Sequence, residues 1–148
     1  MHLAQLVGIG FAGTFVWPIS PDAAAAVYAA AKVGHPLAVG AALAVGQGCA
    51  HLVLFAFGGQ LRQRWPWFDR QCERVRERHA ARLGRGVAVL GVTSGLLGLP
   101  PTSMTAALAP GLEIPGGRLL PLLFAMRVVR FTVLASLATS ARALAGGG

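Results

Sequence analysis

Apolar positions along this chain gather into runs far longer than the faces of a soluble domain require. No Asp, Glu, Lys or Arg occurs from Met1 to Pro21, from Val33 to Leu61 or from Gly86 to Leu112, and the run from Leu119 to Ala141 is interrupted only by Arg127 and Arg130. Each run is near the ~20 helical residues that cross a bilayer core of roughly 30 Å, so the pattern predicts membrane helices. Prolines cut two of the runs, Pro18 and Pro21 in the first and Pro100 and Pro101 in the third. Proline removes a backbone donor and clashes with the preceding turn. The pieces beside a break are too short to cross: Val87–Leu99 would extend about 20 Å as a helix. The reading is a pair of re-entrant hairpins, with two proline-kinked full spans as the alternative. Non-helical backbone at membrane depth survives only when buried in protein or lining a wet cavity, so the two breaks are expected to face each other.

The halves of the chain share one plan. "GIGFAGTFVWPISPDAAAAVYAAAKVGHP" is followed by "LAVGAALAVGQGCAHLVLFAFGGQL", and "VAVLGVTSGLLGLPPTSMTAALAPGLEIPGG" by "RLLPLLFAMRVVRFTVLASLATSAR". In each half an apolar segment meets a proline break, a short Ala-rich helix, a Gly/Pro turn and a long helix, the arrangement of an inverted repeat. Paired Gly/Pro-interrupted segments point to a transport site. Both breaks also open a helix: Ser20, Pro21 and Asp22 supply a cap, a proline at the first helical position and an acid in the first turn, while Pro101, Thr102 and Ser103 supply proline and hydroxyls. Helix N-termini favour anions. Ser20, Asp22, Thr102 and Ser103 are therefore candidate substrate-binding residues.

Composition supports apolar surroundings. Of the residues, 55% are hydrophobic and 12% charged, with a mean hydropathy of +0.61, where a soluble domain carries about 25% charged residues. The fold class is an all-α membrane protein, residues 1–148 forming one integral domain. "MHLAQLVGIGFAG" lacks the basic n-region of a cleaved signal peptide, so the segment is expected to remain. Cys49 and Cys72 lie apart without CxxC spacing, which argues against a disulfide framework or a metal site. No cofactor-binding or catalytic constellation appears, so an enzyme is not expected.

The net charge of +8 is concentrated: eight of the 13 basic residues fall between Leu61 and Gly86. In that stretch Phe68, Cys72, Val75, His79 and Leu83 recur at helical spacing, with arginines around them. The segment 61–86 reads as an amphipathic interfacial linker, Trp65 and Trp67 at headgroup level, on the cytoplasmic side. Nucleic acid is not an expected partner. With both hairpins re-entrant, Arg118 also lies on the cytoplasmic side; four full spans would put it outside.

Arg127 and Arg130 carry the sharpest signal. They lie one turn apart, and Arg127 sits about 14 Å deeper than Arg118 along the helix. An arginine at mid-bilayer costs about 2.5 to 3.5 kcal/mol on translocon scales, so it usually faces a cavity or bundle interior. They are candidate functional residues that mark a pathway through the membrane. A structural clamp of Arg127 on Asp22 or Glu113 is the other reading. Gln47 and His51 share a helix face, read first as hydrogen-bonded packing and second as a proton path. His35 and His79 are expected at an interface.

"PISPD" before an Ala-rich helix, "FGGQL", the basic linker, "TSGLLGLPPTSMTAALAPGLEIPGGRLL" and "MRVVRFTVLA" resemble the DedA superfamily, also called the VTT or SNARE-associated Golgi protein domain, and its YqaA-like branch. The resemblance covers most of the chain. It implies a bacterial inner-membrane protein with two opposed re-entrant hairpins that moves anionic lipids, phospholipid or polyprenyl phosphate, with proton coupling. It carries the hairpin acid onto Asp22 and the basic start of the last helix onto Arg127 and Arg130, with Met126 where the branch often has Gly. The chain departs in lacking arginines beside the second proline break, where Thr93, Ser94, Leu97 and Thr102 stand. The alternative function is a non-transporting membrane module that organises partner proteins or a second copy of itself through small-residue faces such as Gly40, Ala44 and Gly48.

Overall fold

The computed structural model describes residues 2–16, 20–31, 35–67, 69–70, 73–74, 77, 87–89, 91–98 and 101–145. Those residues are helical or lie in turns. The helices are α1 (His2–Ala12), α2 (Pro21–Ala30), α3 (Pro36–Arg64), α4 (Thr102–Leu108) and α5 (Gly116–Ala145), with a π-helical turn at Thr93–Leu97. Two stretches are long and apolar enough to cross a membrane, Pro36–Gln60 and Gly116–Ala145. Among the described residues, the first and third apolar runs form no continuous helix of that length. Helix α1 covers about 16 Å and ends in turns closed by Gly13 N–H to the Ile9 carbonyl at 2.9 Å and Val16 N–H to the Ala12 carbonyl at 2.9 Å. Pro18 and Pro100, and the apolar face of the linker at Phe68, Cys72, Val75, His79 and Leu83, lie outside the described residues.

Helix starts follow their sequence signals unevenly. Ser20 caps α2, its Oγ accepting the Ala23 N–H at 3.2 Å, with Pro21 at the first helical position and Asp22 in the first turn. His35 precedes α3 and accepts the Leu37 N–H through Nδ1 at 3.3 Å, an interaction that spacing did not announce. At α4 the expected hydroxyl cap is absent. Pro101 occupies the cap position and Thr102 is already helical and buried.

By contact the chain divides into two compact units, Met1–Ala50 with Phe124–Gly148, and His51–Leu123. In the first, Leu6, Ala25, Val39, Leu43, Ala44 and Phe131 form the buried core. Close approach between backbones depends on glycine. A Cβ at Gly46 would drive into the Val7 carbonyl of α1, and one at Gly40 would meet Thr132 Oγ1 at 2.6 Å. Gly48 faces the Phe124 ring, so residue numbers fall on α5 as they rise on α3 and the two run antiparallel here. Of the Gly40, Ala44, Gly48 stripe that the alternative reading offers to partners, Gly40 and Gly48 face this chain's own last helix.

In the second unit, Ala109, Ile114, Leu119 and Leu123 are buried, with Phe55, Val87 and Leu112 against them. The π-helical turn ends at Gly98, whose φ of 75° needs a left-handed residue. Beyond α4, Ile114 N–H reaches the Ala109 carbonyl at 2.9 Å and Glu113 N–H the Pro110 carbonyl at 3.2 Å. That pattern is the Schellman turn, whose left-handed position glycine usually fills. Here Glu113 fills it, at a φ of 56°.

Gly46→Ala is expected to destabilise the fold by about 2 kcal/mol, since the added carbon meets rigid backbone. Gly8→Ala meets open space and should be near neutral or slightly stabilising. Thermal unfolding in detergent micelles checks both; equal melting temperatures would contradict the close approach at Gly46. Glu113→Gly should stabilise by about 1 kcal/mol, because glycine adopts the left-handed region without the Cβ clash. A lower melting temperature would count against that account.

Candidate functional site

In the first unit the site grows from the start of α2. With Ser20 as cap and Pro21 fixing the first helical residue, Asp22 stands at the helix N-terminus, where the macrodipole favours a negative charge. Its two oxygens accept from one guanidinium: Arg130 Nε to Oδ1 at 2.9 Å and Arg130 Nη2 to Oδ2 at 2.7 Å. Both side chains are partly buried, at 25% and 36% exposure for Arg130 and Asp22. A forked pair of this kind is stronger and more directional than a single bond.

The same helix holds the other end of α2. Arg142, twelve residues beyond Arg130, donates to the carbonyl of Ala30, the last residue of α2. A cation at a helix C-terminus satisfies an orphan carbonyl and complements the dipole. Helix α2 therefore lies alongside α5 and parallel to it, held by charge at both ends.

Arg127 lies one turn before Arg130 and is buried, with its guanidinium carbon 5.7 Å from the centre of the Phe131 ring, a cation–π contact against a fully buried aromatic. Asp22 is the one acidic residue in this unit's sequence, while Lys32, Arg127, Arg130 and Arg142 are basic. Four cations against one anion leave the unit at a formal +3.

The structure thus brings together Asp22, Arg127 and Arg130 of the expected site. It assigns Ser20's side chain to capping. Thr102 and Ser103 belong to the other unit. Where the alternative reading clamped Arg127 on Asp22 or Glu113, the forked bonds of Asp22 run to Arg130, three positions on. Gln47 is buried and its Oε1 has no hydrogen-bond partner among the described residues, where a bonded packing contact was expected.

Sequence reasoning missed Arg142 and Phe131. Arg142 was legible as a base in the last turn of a long helix, but nothing in the spacing names Ala30 as its acceptor. It also missed the hydroxyl bridge of the second unit, where Ser94 Oγ and Thr105 Oγ1 are 3.1 Å apart and Thr105 donates on to the Pro101 carbonyl at 3.2 Å. Comparison with family models, curated proteins and solved structures returns no match for the chain.

A double-mutant cycle on Asp22→Asn and Arg130→Gln is expected to show a coupling of about 1 to 2 kcal/mol, above the ~0.2 to 1 of an exposed pair because the geometry is forked and partly buried. Each single substitution leaves a charge uncompensated and should destabilise more than the pair together. Additive effects on unfolding would contradict the pairing.

Proposed function

We propose that the chain is an integral membrane protein, related to the DedA or VTT group, that moves anionic lipid headgroups across a bacterial inner membrane. The observation that carries this reading is the forked Asp22–Arg130 pair, with buried Arg127 one turn away, on a helix long and apolar enough to span. Charges are retained in such a helix at a cost that a structural role alone seldom repays. A phosphate competes with Asp22 for Arg130 because both are planar-edged anions suited to the guanidinium fork. The proline breaks act as re-entrant hairpins, admitting water and headgroup to the depth of the arginines. The 61–86 segment lies on the cytoplasmic surface, with exposed Trp65 and Trp67 in the headgroup layer.

Lipids are the partners in this reading. The alternative, an organiser of partner proteins, drew on small-residue faces such as Gly40, Ala44 and Gly48, of which Gly40 and Gly48 pack on α5.

Reconstitution into liposomes with fluorescent phosphatidylglycerol, phosphatidylcholine or polyprenyl phosphate tests the reading. The wild-type chain should raise transbilayer movement of the anionic lipids at least tenfold over protein-free vesicles. Arg127→Gln and Arg130→Gln should each remove most of that gain, whereas Asp22→Asn, which deletes the competing anion, should keep headgroup binding. Movement no faster than in empty vesicles, or equal loss for anionic and zwitterionic lipid, would sink the proposal.

A further inference from the structure

A cavity of about 340 Å³ in the second unit is assigned no role above. Glu113 and Arg118 line it together with Val87, Leu112, Ile114 and Leu122. Its volume lies in the ~300 to 1,000 Å³ range of small-ligand sites. The Arg118 backbone N–H bonds the Pro115 carbonyl at 3.1 Å, while its side chain is exposed and makes no ion pair or hydrogen bond with a described residue. Glu113 sits in the left-handed position of the turn after α4, at a φ of 56°, although glycine serves that conformation better and the chain has glycines close by at 111, 116 and 117. A carboxylate is thus kept, in an unfavourable backbone conformation, at the mouth of a cavity. Such outliers cluster where a side chain is needed for binding.

We infer that this cavity binds an amphiphile with a zwitterionic headgroup, a phosphodiester carrying an ammonium a few ångströms away. Arg118 takes the phosphate oxygens through its fork. Glu113 takes the ammonium: a carboxylate offers about four acceptor positions, so the new bond joins its existing contacts. The apolar wall of Val87, Leu112, Ile114 and Leu122 receives the first carbons of the chain. One carboxylate beside one guanidinium discriminates against a purely anionic head, which would meet Glu113's charge. The apolar wall discriminates against a free headgroup, which gains nothing from it. The site uses residues of the second unit only and does not depend on movement of lipid past Arg127 and Arg130.

The test is calorimetric titration of the purified full chain in neutral maltoside micelles with lysophosphatidylethanolamine, lysophosphatidylglycerol of the same acyl length, and free phosphoethanolamine. The ethanolamine lysolipid should bind at least tenfold more tightly than the glycerol one, and at least a hundredfold more tightly than the free headgroup. Arg118→Gln should weaken both lysolipids tenfold or more, with Arg118→Lys recovering part of the loss. Glu113→Gln should erase the preference and leave the glycerol lysolipid bound. Glu113→Gly is the decisive variant: it should raise the melting temperature by a few degrees and lose the preference at once, which a merely structural glutamate would not do. Equal affinity for the two lysolipids in the wild-type chain, or unchanged binding in Arg118→Gln, overturns the inference. Free phosphoethanolamine binding as tightly as the lysolipid overturns the lipid assignment in favour of a soluble phosphate-amine. No transport is measured, so failure here leaves the liposome experiment to decide the Arg127 and Arg130 reading alone.

Discussion

A guanidinium on an apolar helix has to be given an opposite charge, and in the first unit Asp22 is the one residue that can give it. Its pairing with Arg130 sets where α2 begins and how it lies. Ser20 and Pro21 matter because they fix the helix start so that the carboxylate falls in the first turn, within 3 Å of the fork. The second attachment, from Arg142 to Ala30, then fixes the direction. Twelve residues of α5 rise about 18 Å and eight residues of α2 about 12 Å. Helical side chains lean toward the N-terminus and carbonyls point toward the C-terminus, which widens the reach of α2 at both ends and closes much of that gap.

Glycine makes the remaining contacts possible. A glycine inside a helix costs about 0.5 to 1 kcal/mol relative to alanine in water. Where the surroundings are as apolar as the side chains, helix association depends on close packing and interhelical hydrogen bonds. Gly46 against the Val7 carbonyl and Gly40 against Thr132 are contacts that any Cβ would push apart. The same logic recurs in the second unit, where a Cβ at Gly58 would strike the Ala107 carbonyl and one at Gly116 the Phe55 ring at 2.8 Å. Small residues in the long helices therefore report on internal packing.

Local chemistry explains which features were legible in the sequence. The run from Val33 to Leu61 and the run from Leu119 announced α3 and α5, though α5 begins three residues earlier, at Gly116. Ser20–Pro21–Asp22 announced the start of α2 because cap, proline and acid occupy adjacent positions and act within one turn. What depends on partners far along the chain was not legible. Arg127 and Arg130 look alike in sequence, and only the packing of α2 selects Arg130 for Asp22. The small-residue stripe of α3 could as well have faced a partner. Thr102 and Ser103 resembled caps because hydroxyls follow a proline, yet Pro101 takes the cap position and shifts both into the helix. Glu113 was noticed for its charge, but its left-handed conformation gave no signal, since that is a property of the turn.

The two breaks are held by different chemistry, and the difference explains an anomaly of the sequence. The DedA-like pattern leads one to look for arginines around the second proline break, at the positions of Thr93, Ser94, Leu97 and Thr102. Thr93 Oγ1 donates to the Val89 carbonyl at 2.8 Å, and Ser94 is fully buried against Thr105, which bonds the Pro101 carbonyl. Those hydroxyls add side-chain bonds to carbonyls beside the π-helical turn and the proline, the Pro101 carbonyl accepting from the Thr105 N–H at 3.0 Å as well. An arginine at Ser94 would have to fit a longer, charged side chain into a fully buried position. Neutral hydroxyls tie the second break together, whereas a carboxylate and two arginines flank the first. Charge at the first break therefore gathers where α2 meets α5, with the Asp22 carboxylate seated in the Arg130 fork.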